Sequence, residues 1–210
     1  MSIVRKKVEL LEKNKPRQQR AVRTYENILV AAAQLLVEVG VERISTNLIA
    51  ERARIAVPAL YRYFPNKYSV LHALGATLMD RQNQVCQKWL EDNLGNTLEA
   101  EDIYCLLRET YDVTTAQLGG LEIIQSLRAV GPLQDVRLTS HRLVAQQFAA
   151  MLCEFSGFED TAALSLRARV SIDLGYAVVE MALEDESLSA ESVLREGAQM
   201  IHLYWQQFFD

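Results

Sequence analysis

The residues with the most chemical character in this 210-residue chain stand together in the run Leu60-Tyr61-Arg62-Tyr63-Phe64-Pro65-Asn66-Lys67. A guanidinium, two phenols and an ammonium lie in reach of one another, with no carboxylate, thiol or imidazole among them to act as a base, nucleophile or metal ligand. Such a set binds anions and hydrogen-bonding edges: the guanidinium offers paired donors, and phenols and ammonium meet phosphate oxygens. At about 100° per residue on a helix, Leu60 and Phe64 point one way and Arg62 marks the opposite direction. Pro58 and Ala59 share the outward face, and Tyr61 and Tyr63 flank it. This face suits a DNA major groove, with arginine for base edges, small apolar groups for thymine methyls and phenols for the backbone.

The flanking sequence supplies the elements that would hold this face. Ser45 is a suitable N-cap for a short helix through Ala53, in which Leu48 and Ile49 face inward. Arg54, Ile55 and Ala56 make a turn, Pro58 fits the first turn of a second helix, and Pro65 stops that helix at Tyr63 or Phe64. Residues 45–64 therefore read as a helix-turn-helix. Ahead of it the stripe Ile28, Ala32, Leu35, Leu36, Val39 predicts a helix ending at Gly40. After it Asn66 caps a helix from Lys67 that could reach Leu94. Further helices are predicted near 101–118, 121–130, 133–155, 160–183 and 189–209, separated by glycines, Pro132 and the acidic run 184–186. With 9 Gly, 4 Pro and no period-two alternation, the chain is expected to be all-α with about nine helices. The expected organisation is a basic arm over 1–22, a DNA-binding domain over 23–70 and a helical body over 71–210.

Charge is segregated in the same way. The net charge of −5 divides into +7 for residues 1–67, with 13 basic and 6 acidic residues, and −12 for residues 68–210. A basic head on an acidic body is the pattern of one domain facing a polyanion while the other repels it. The three cysteines, Cys86, Cys105 and Cys153, are widely spaced and fit neither a disulfide framework nor a zinc site. His72, His141 and His202 are too dispersed to hold a metal. No nucleophile–base pair or phosphate loop is present, so neither catalysis nor a cofactor is expected. Only short uncharged apolar stretches and a charged N-terminus are seen, so a cytoplasmic protein without membrane association is expected.

The stretch from Ile28 to Leu74, with Ile49-Ala50, Ala53, Ile55 and the run from Leu60 to Lys67, resembles the DNA-binding domain of the TetR family of bacterial repressors. The family pattern is a helix ending in Gly, an Ile-Ala pair, an Ala-Gly-Val turn and a Leu-Tyr-x-Tyr-Phe run closed by Asn-Lys or Ser-Lys. The resemblance implies that Tyr61, Tyr63 and Lys67 contact the DNA backbone. It further implies that Val57, Pro58, Ala59 and Arg62 form the reading surface and that Asn47 reaches the groove. Lys67 lies at a helix start, the unfavourable end for a cation, which argues for phosphate binding over simple solvation. Tyr63 borders the core and could equally serve in packing. Arg17, Arg20 and Arg23 could enter a minor groove or belong to a plain tail. Two positions depart from the pattern: Arg54 stands where the family has Gly, and Ala56 where it has Ser or Thr, which removes an N-cap.

The acidic body carries two further expectations. The last helix has two apolar stripes, Leu194, Ala198, Ile201, Trp205, Phe208 and Val193, Gly197, Met200, Tyr204; the helix before it has small residues at Ala168, Ser171, Gly175 and Ala182. Together they suggest a two-fold four-helix interface built on Gly175, Leu194, Ile201, Trp205 and Phe208, the alternative being that both stripes are internal core. Trp89, Tyr104, Tyr111, Phe148 and Phe155 cluster in the middle helices, where the resemblance implies an apolar pocket for a small-molecule ligand. The implied function is a homodimeric repressor released from a palindromic double-stranded DNA operator by that ligand. The competing reading is a helical small-molecule-binding protein that keeps the head as a scaffold.

Overall fold

The computed structural model describes residues 10, 16, 18–93, 99–156 and 162–209, with side chains described up to 154 and between 162 and 206. The described residues form nine α-helices and one 3-10 turn, with no strand, as the periodicity predicted. The helices are α1 (Gln19–Arg43), α2 (Thr46–Arg52), α3 (Val57–Leu60), α4 (Lys67–Asp92), α5 (Ala100–Ala116), α6 (Gly120–Ala129), α7 (Gln134–Ser156), α8 (Ala162–Glu184) and α9 (Ala190–Phe209), with the 3-10 turn at Gly131–Leu133.

Three local features differ from the sequence expectation. α1 begins at Gln19, so residues 19–22, read as arm, are helical, the Val22 N–H donating to the Gln18 carbonyl at 2.9 Å. Arg17 and most of the arm lie outside the described residues. Gly40 bends α1 rather than ending it: its φ of 73° needs a residue without Cβ, and the helix resumes to Arg43. α3 is only four residues long, and beyond it the N–H groups of Tyr63 and Phe64 both donate to the Leu60 carbonyl, at 2.9 and 3.0 Å. Pro65 disfavours helical geometry at Phe64, so the chain closes in a tight turn there.

The chain divides into two compact units, Met1–Leu78 with Leu118–Arg137, and Met79–Gln117 with Leu138–Asp210. The first is organised around Ile28, Leu36, Ile49, Leu60, Phe64 and Leu71, all at most 2% exposed. Tyr25 stacks on Phe64 at 5.2 Å. Among the described helices α1 is the one long and apolar enough to cross a membrane by composition, yet its Ile28, Ala32 and Leu36 are core residues of this unit. α6, which the sequence placed with the body, joins this unit because it buries Ile123, Ile124 and Leu127. It contacts α1. Two glycines admit it: a Cβ on Gly75 would lie 2.6 Å from Leu127 Cδ2, and one on Gly119 would lie 3.2 Å from the Ala33 carbonyl.

In the second unit α5, α8 and α9 pack on one another around Leu107, Phe148, Leu164, Val179, Leu194 and Trp205. α8 and α9 touch at Gly197, where a Cβ would fall 2.4 Å from Val178 Cγ1. α5 starts with a capping box in which the Asp102 carboxylate accepts from the Glu99 N–H at 3.0 Å.

Candidate functional site

The turn between α2 and α3 forms despite its departures from the glycine pattern. Ser45 Oγ accepts from the Leu48 N–H at 3.2 Å and caps α2. At the other end the Ile55 N–H donates to the Ala50 carbonyl and the Arg54 N–H to that of Glu51, both at 3.0 Å, which closes a Schellman turn. Arg54 occupies its left-handed position with φ 55°. A side chain there costs roughly 1 kcal/mol relative to glycine, which the two closing hydrogen bonds offset. Ala56 leaves α3 without a side-chain cap. A bidentate ion pair, Arg52 to Glu38 at 2.7 and 2.6 Å, ties α2 to α1. That guanidinium holds the Glu38 carboxyl below its ordinary range.

The candidate DNA residues fall into two groups. Asn47, Pro58, Tyr61 and Arg62 are exposed, while Val57 and Ala59 are half-buried beside them. Tyr61, 41% exposed, shares a hydrogen bond with Thr46 Oγ1 at 3.1 Å, which fixes its phenol over the start of α2. Tyr63 behaves differently: it is 8% exposed, with its ring edge-on to Tyr25 at 6.2 Å. Of its two sequence roles, packing is therefore realised in this fold. Leu48, expected inside, is 37% exposed, and Ile49 with Ala50 supplies the buried side of α2.

Lys67 is engaged from within. Its ammonium donates to the carbonyls of Val41, Glu42 and Ile44 at 3.1, 3.3 and 3.1 Å, one acceptor for each of its three protons. It also lies 5.4 Å from the Tyr68 ring centroid. Although Lys67 starts α4, the unfavourable end for a cation, its ammonium sits on the last carbonyls of α1, where a cation is favoured. Phosphate binding is therefore not needed to explain it.

The second unit contains an apolar cavity of about 70 Å³ lined from α4, α5, α7, α8 and α9. Trp89 and Phe148 line it as the sequence suggested, and they meet edge to face at 6.5 Å. Tyr104 and Tyr111 do not line it; they are half-buried, under the guanidinium groups of Arg195 at 3.9 Å and Arg108 at 5.5 Å. Phe155 lies outside the described side chains. Sequence reasoning missed Cys86 and Tyr176 on the cavity wall, for which no pattern gave a signal, and took Ser171 only as a small residue for helix approach. Burial pushes the Cys86 thiol up to about 12 and the Tyr176 phenol well above its usual value, so both are neutral. His141 stacks on Tyr176 at 4.0 Å and bonds Asp173 at 2.5 Å, and Asp173 also pairs with Arg169 at 2.8 Å.

The residues expected at a subunit interface are core residues of this chain. Leu194, Ile201 and Trp205 are 0%, 6% and 4% exposed, and Gly175 admits Leu107, whose Cδ2 would stand 3.2 Å from a Cβ there. Gly175, Ile201 and Trp205 line the cavity instead. The Phe208 side chain lies outside the described residues. This is the internal-core alternative for the first stripe, and the physical reason is that α5 already covers it. Exposed apolar residues on these helices are Leu166, Val170 and Met181 of α8, and Met200 and Leu203 of α9. Among the described residues, no group of three or more His, Cys, Asp and Glu could hold a metal.

Comparison with known proteins accords with this architecture. A family model of bacterial regulatory proteins of the tetR family matches residues 28–74, and one of a tetracyclin repressor-like C-terminal domain matches residues 122–209. Tetracycline repressor protein class G of Vibrio anguillarum is 38% identical over 66 residues, 31% of each chain. The chain spans less than a third of the length of the curated relatives it matches. Among solved structures, a TetR-family transcriptional regulator from Streptomyces coelicolor superposes with a TM-score of 0.57 at 23% identity, over 88% of this chain and 98% of that one. RolR in complex with the ligand resorcinol superposes with a TM-score of 0.56 at 19% identity, over 88% and 90%.

Proposed function

Because the chain belongs to the TetR family of transcriptional regulators, we propose that it is a sequence-specific DNA-binding repressor, active as a homodimer on a palindromic operator and released by a small-molecule ligand. The observation that carries this reading is the face of α2 and α3, where Asn47, Pro58, Tyr61 and Arg62 stay exposed while Leu60, Tyr63 and Phe64 are buried beneath them. In this reading Arg62, with Val57, Pro58, Ala59 and Asn47 around it, reads base edges, and Tyr61 binds the backbone. Lys67 acts indirectly by holding the end of α1. The scaffold-only alternative drew on Arg54 and Ala56, but the Schellman turn closes with both residues in place.

The dimer surface is the exposed α8–α9 face, Leu166, Val170, Met181, Met200 and Leu203, an apolar set whose burial against a second copy removes it from water. The second unit's cavity is the effector site, and its coupling to DNA must be reciprocal: operator DNA weakens ligand binding by the factor by which ligand weakens DNA binding. Support for a small organic effector comes from the apolar wall and from the resorcinol complex of a fold relative. The test is selection of binding sites from random duplexes with the full chain. Enrichment of an inverted repeat is expected, whereas enrichment of no sequence, or of a single unrepeated half-site, counts against the reading.

A further inference from the structure

The wall of the second unit's cavity contains no charged side chain, and nearly all its polar hydrogens are already committed. Trp89 Nε1 donates to the Asp102 carbonyl and Trp205 Nε1 to Ser171 Oγ, both at 2.8 Å. Ser171 in turn donates to the Arg167 carbonyl at 3.0 Å, and Thr110 to that of Leu106 at 2.8 Å. The exception is Tyr176. Its hydroxyl is buried with no partner at full hydrogen-bond geometry, and its nearest polar neighbours, Cys86 and Ser140, make at most weak hydrogen-bonding contact with it. A buried unpaired hydroxyl is destabilising and calls for an explanation.

We propose that this cavity takes a compact, uncharged, mostly apolar ligand with one hydrogen-bond acceptor, and that the Tyr176 hydroxyl donates to that acceptor. The inference rests on the cavity being the effector site. An anion would lose its hydration against a wall with no countercharge. A purely apolar ligand would leave the phenol unpaired. The volume of about 70 Å³ is small beside the roughly 300–1,000 Å³ of sites for drug-sized molecules, which restricts the ligand to a compact one.

The chain's two tryptophans both line the cavity, so their fluorescence reports its occupancy directly. The probes are matched pairs differing in the acceptor, acetophenone with α-methylstyrene and cyclohexanone with methylenecyclohexane, together with benzoate as the anion. In Tyr176→Phe the ketone-to-alkene affinity ratio should fall about tenfold relative to the unmutated protein, with alkene affinity unchanged. Benzoate should bind more weakly than acetophenone. Without ligand, Tyr176→Phe should melt at the same temperature or higher, because it removes an unpaired buried group. An unchanged ratio, benzoate binding as tightly as acetophenone, binding by neither pair, or a marked drop in melting temperature of Tyr176→Phe would each overturn the inference. DNA release is read separately: a probe that binds with the expected ratio but leaves DNA affinity unaltered contradicts the effector reading and leaves the cavity chemistry standing.

Discussion

The two units treat their polar side chains in opposite ways. In the first, long cationic groups secure helix ends from outside the core: Lys67 holds the last carbonyls of α1 and Arg52 grips Glu38. Asn47, Tyr61 and Arg62 stay exposed between these fixed points. In the second, hydroxyls turn inward and bond within their own helices, as Thr110 and Ser171 do, around a cavity without charge. A surface that must recognise a solvated polyanion needs exposed donors on a rigid frame. A chamber for a neutral molecule needs a dry wall with few donors. The same physical cost of burying polar groups shapes both, with opposite outcomes.

The sharpest contrast lies within α9. Trp205 is 4% exposed, bonds Ser171 and stands edge-on to Phe148 at 5.2 Å; Leu203, two residues earlier, is 48% exposed. Trp205→Ala should cost about 3–5 kcal/mol in urea unfolding. Leu203→Glu should keep its circular dichroism while sedimenting as monomer. If Leu203→Glu remains dimeric, the partner surface is elsewhere.

Next in size is Lys67→Met, which leaves three carbonyls at the α1 end without their ammonium. A loss of about 1.5–3 kcal/mol is expected, as for hydrogen bonds to a charged donor. The salt dependence of DNA binding should be unaltered. A slope flattened by about one unit per subunit would instead reveal a phosphate contact and erase the difference drawn between Lys67 and its exposed neighbours.

Arg54→Gly relieves a left-handed residue that closes the α2–α3 turn and should stabilise the chain by about 1 kcal/mol by thermal or urea unfolding. The smallest effect concerns Glu38. Its carboxyl is held below the ordinary value of 4.5 by Arg52. The pair's contribution is thus complete above pH 4.5 and disappears as pH falls through the lowered folded value. Glu38→Gln should flatten the acid limb of the stability profile below 4.5 and leave no pH dependence of its own there.

How much of this was legible in the sequence follows from how local each signal is. Ser45, Asn66 and Pro58 act within three or four residues of themselves, and Ser45 and Asn66 cap as their types suggest, Asn66 Oδ1 accepting from the Ser69 N–H at 3.0 Å. The structural role of Lys67 was not legible, because its acceptors lie more than twenty residues back, at an end of α1 visible only after folding. Periodicity shows two apolar stripes on α9 but cannot tell a neighbouring helix from a second subunit, and in this fold Leu194, Ile201 and Trp205 are buried within the chain itself. α6 is amphipathic by sequence, yet its place in the first unit depends on Gly75 and Gly119, whose meaning is their closeness to Leu127 and Ala33. Tyr176 and Cys86 carry no pattern at all and became visible only as cavity wall.

The central claim is that the exposed face around Arg62 reads sequence, and fluorescence anisotropy on a selected duplex and its scrambled counterpart, across a salt series, tests it most directly. Arg62→Ala should lose about 1–3 kcal/mol on the selected duplex, relax discrimination at one base pair per half-site and bind scrambled DNA almost as before. Equal loss on both duplexes would contradict base reading by Arg62, and no loss on either would remove DNA recognition from this face altogether.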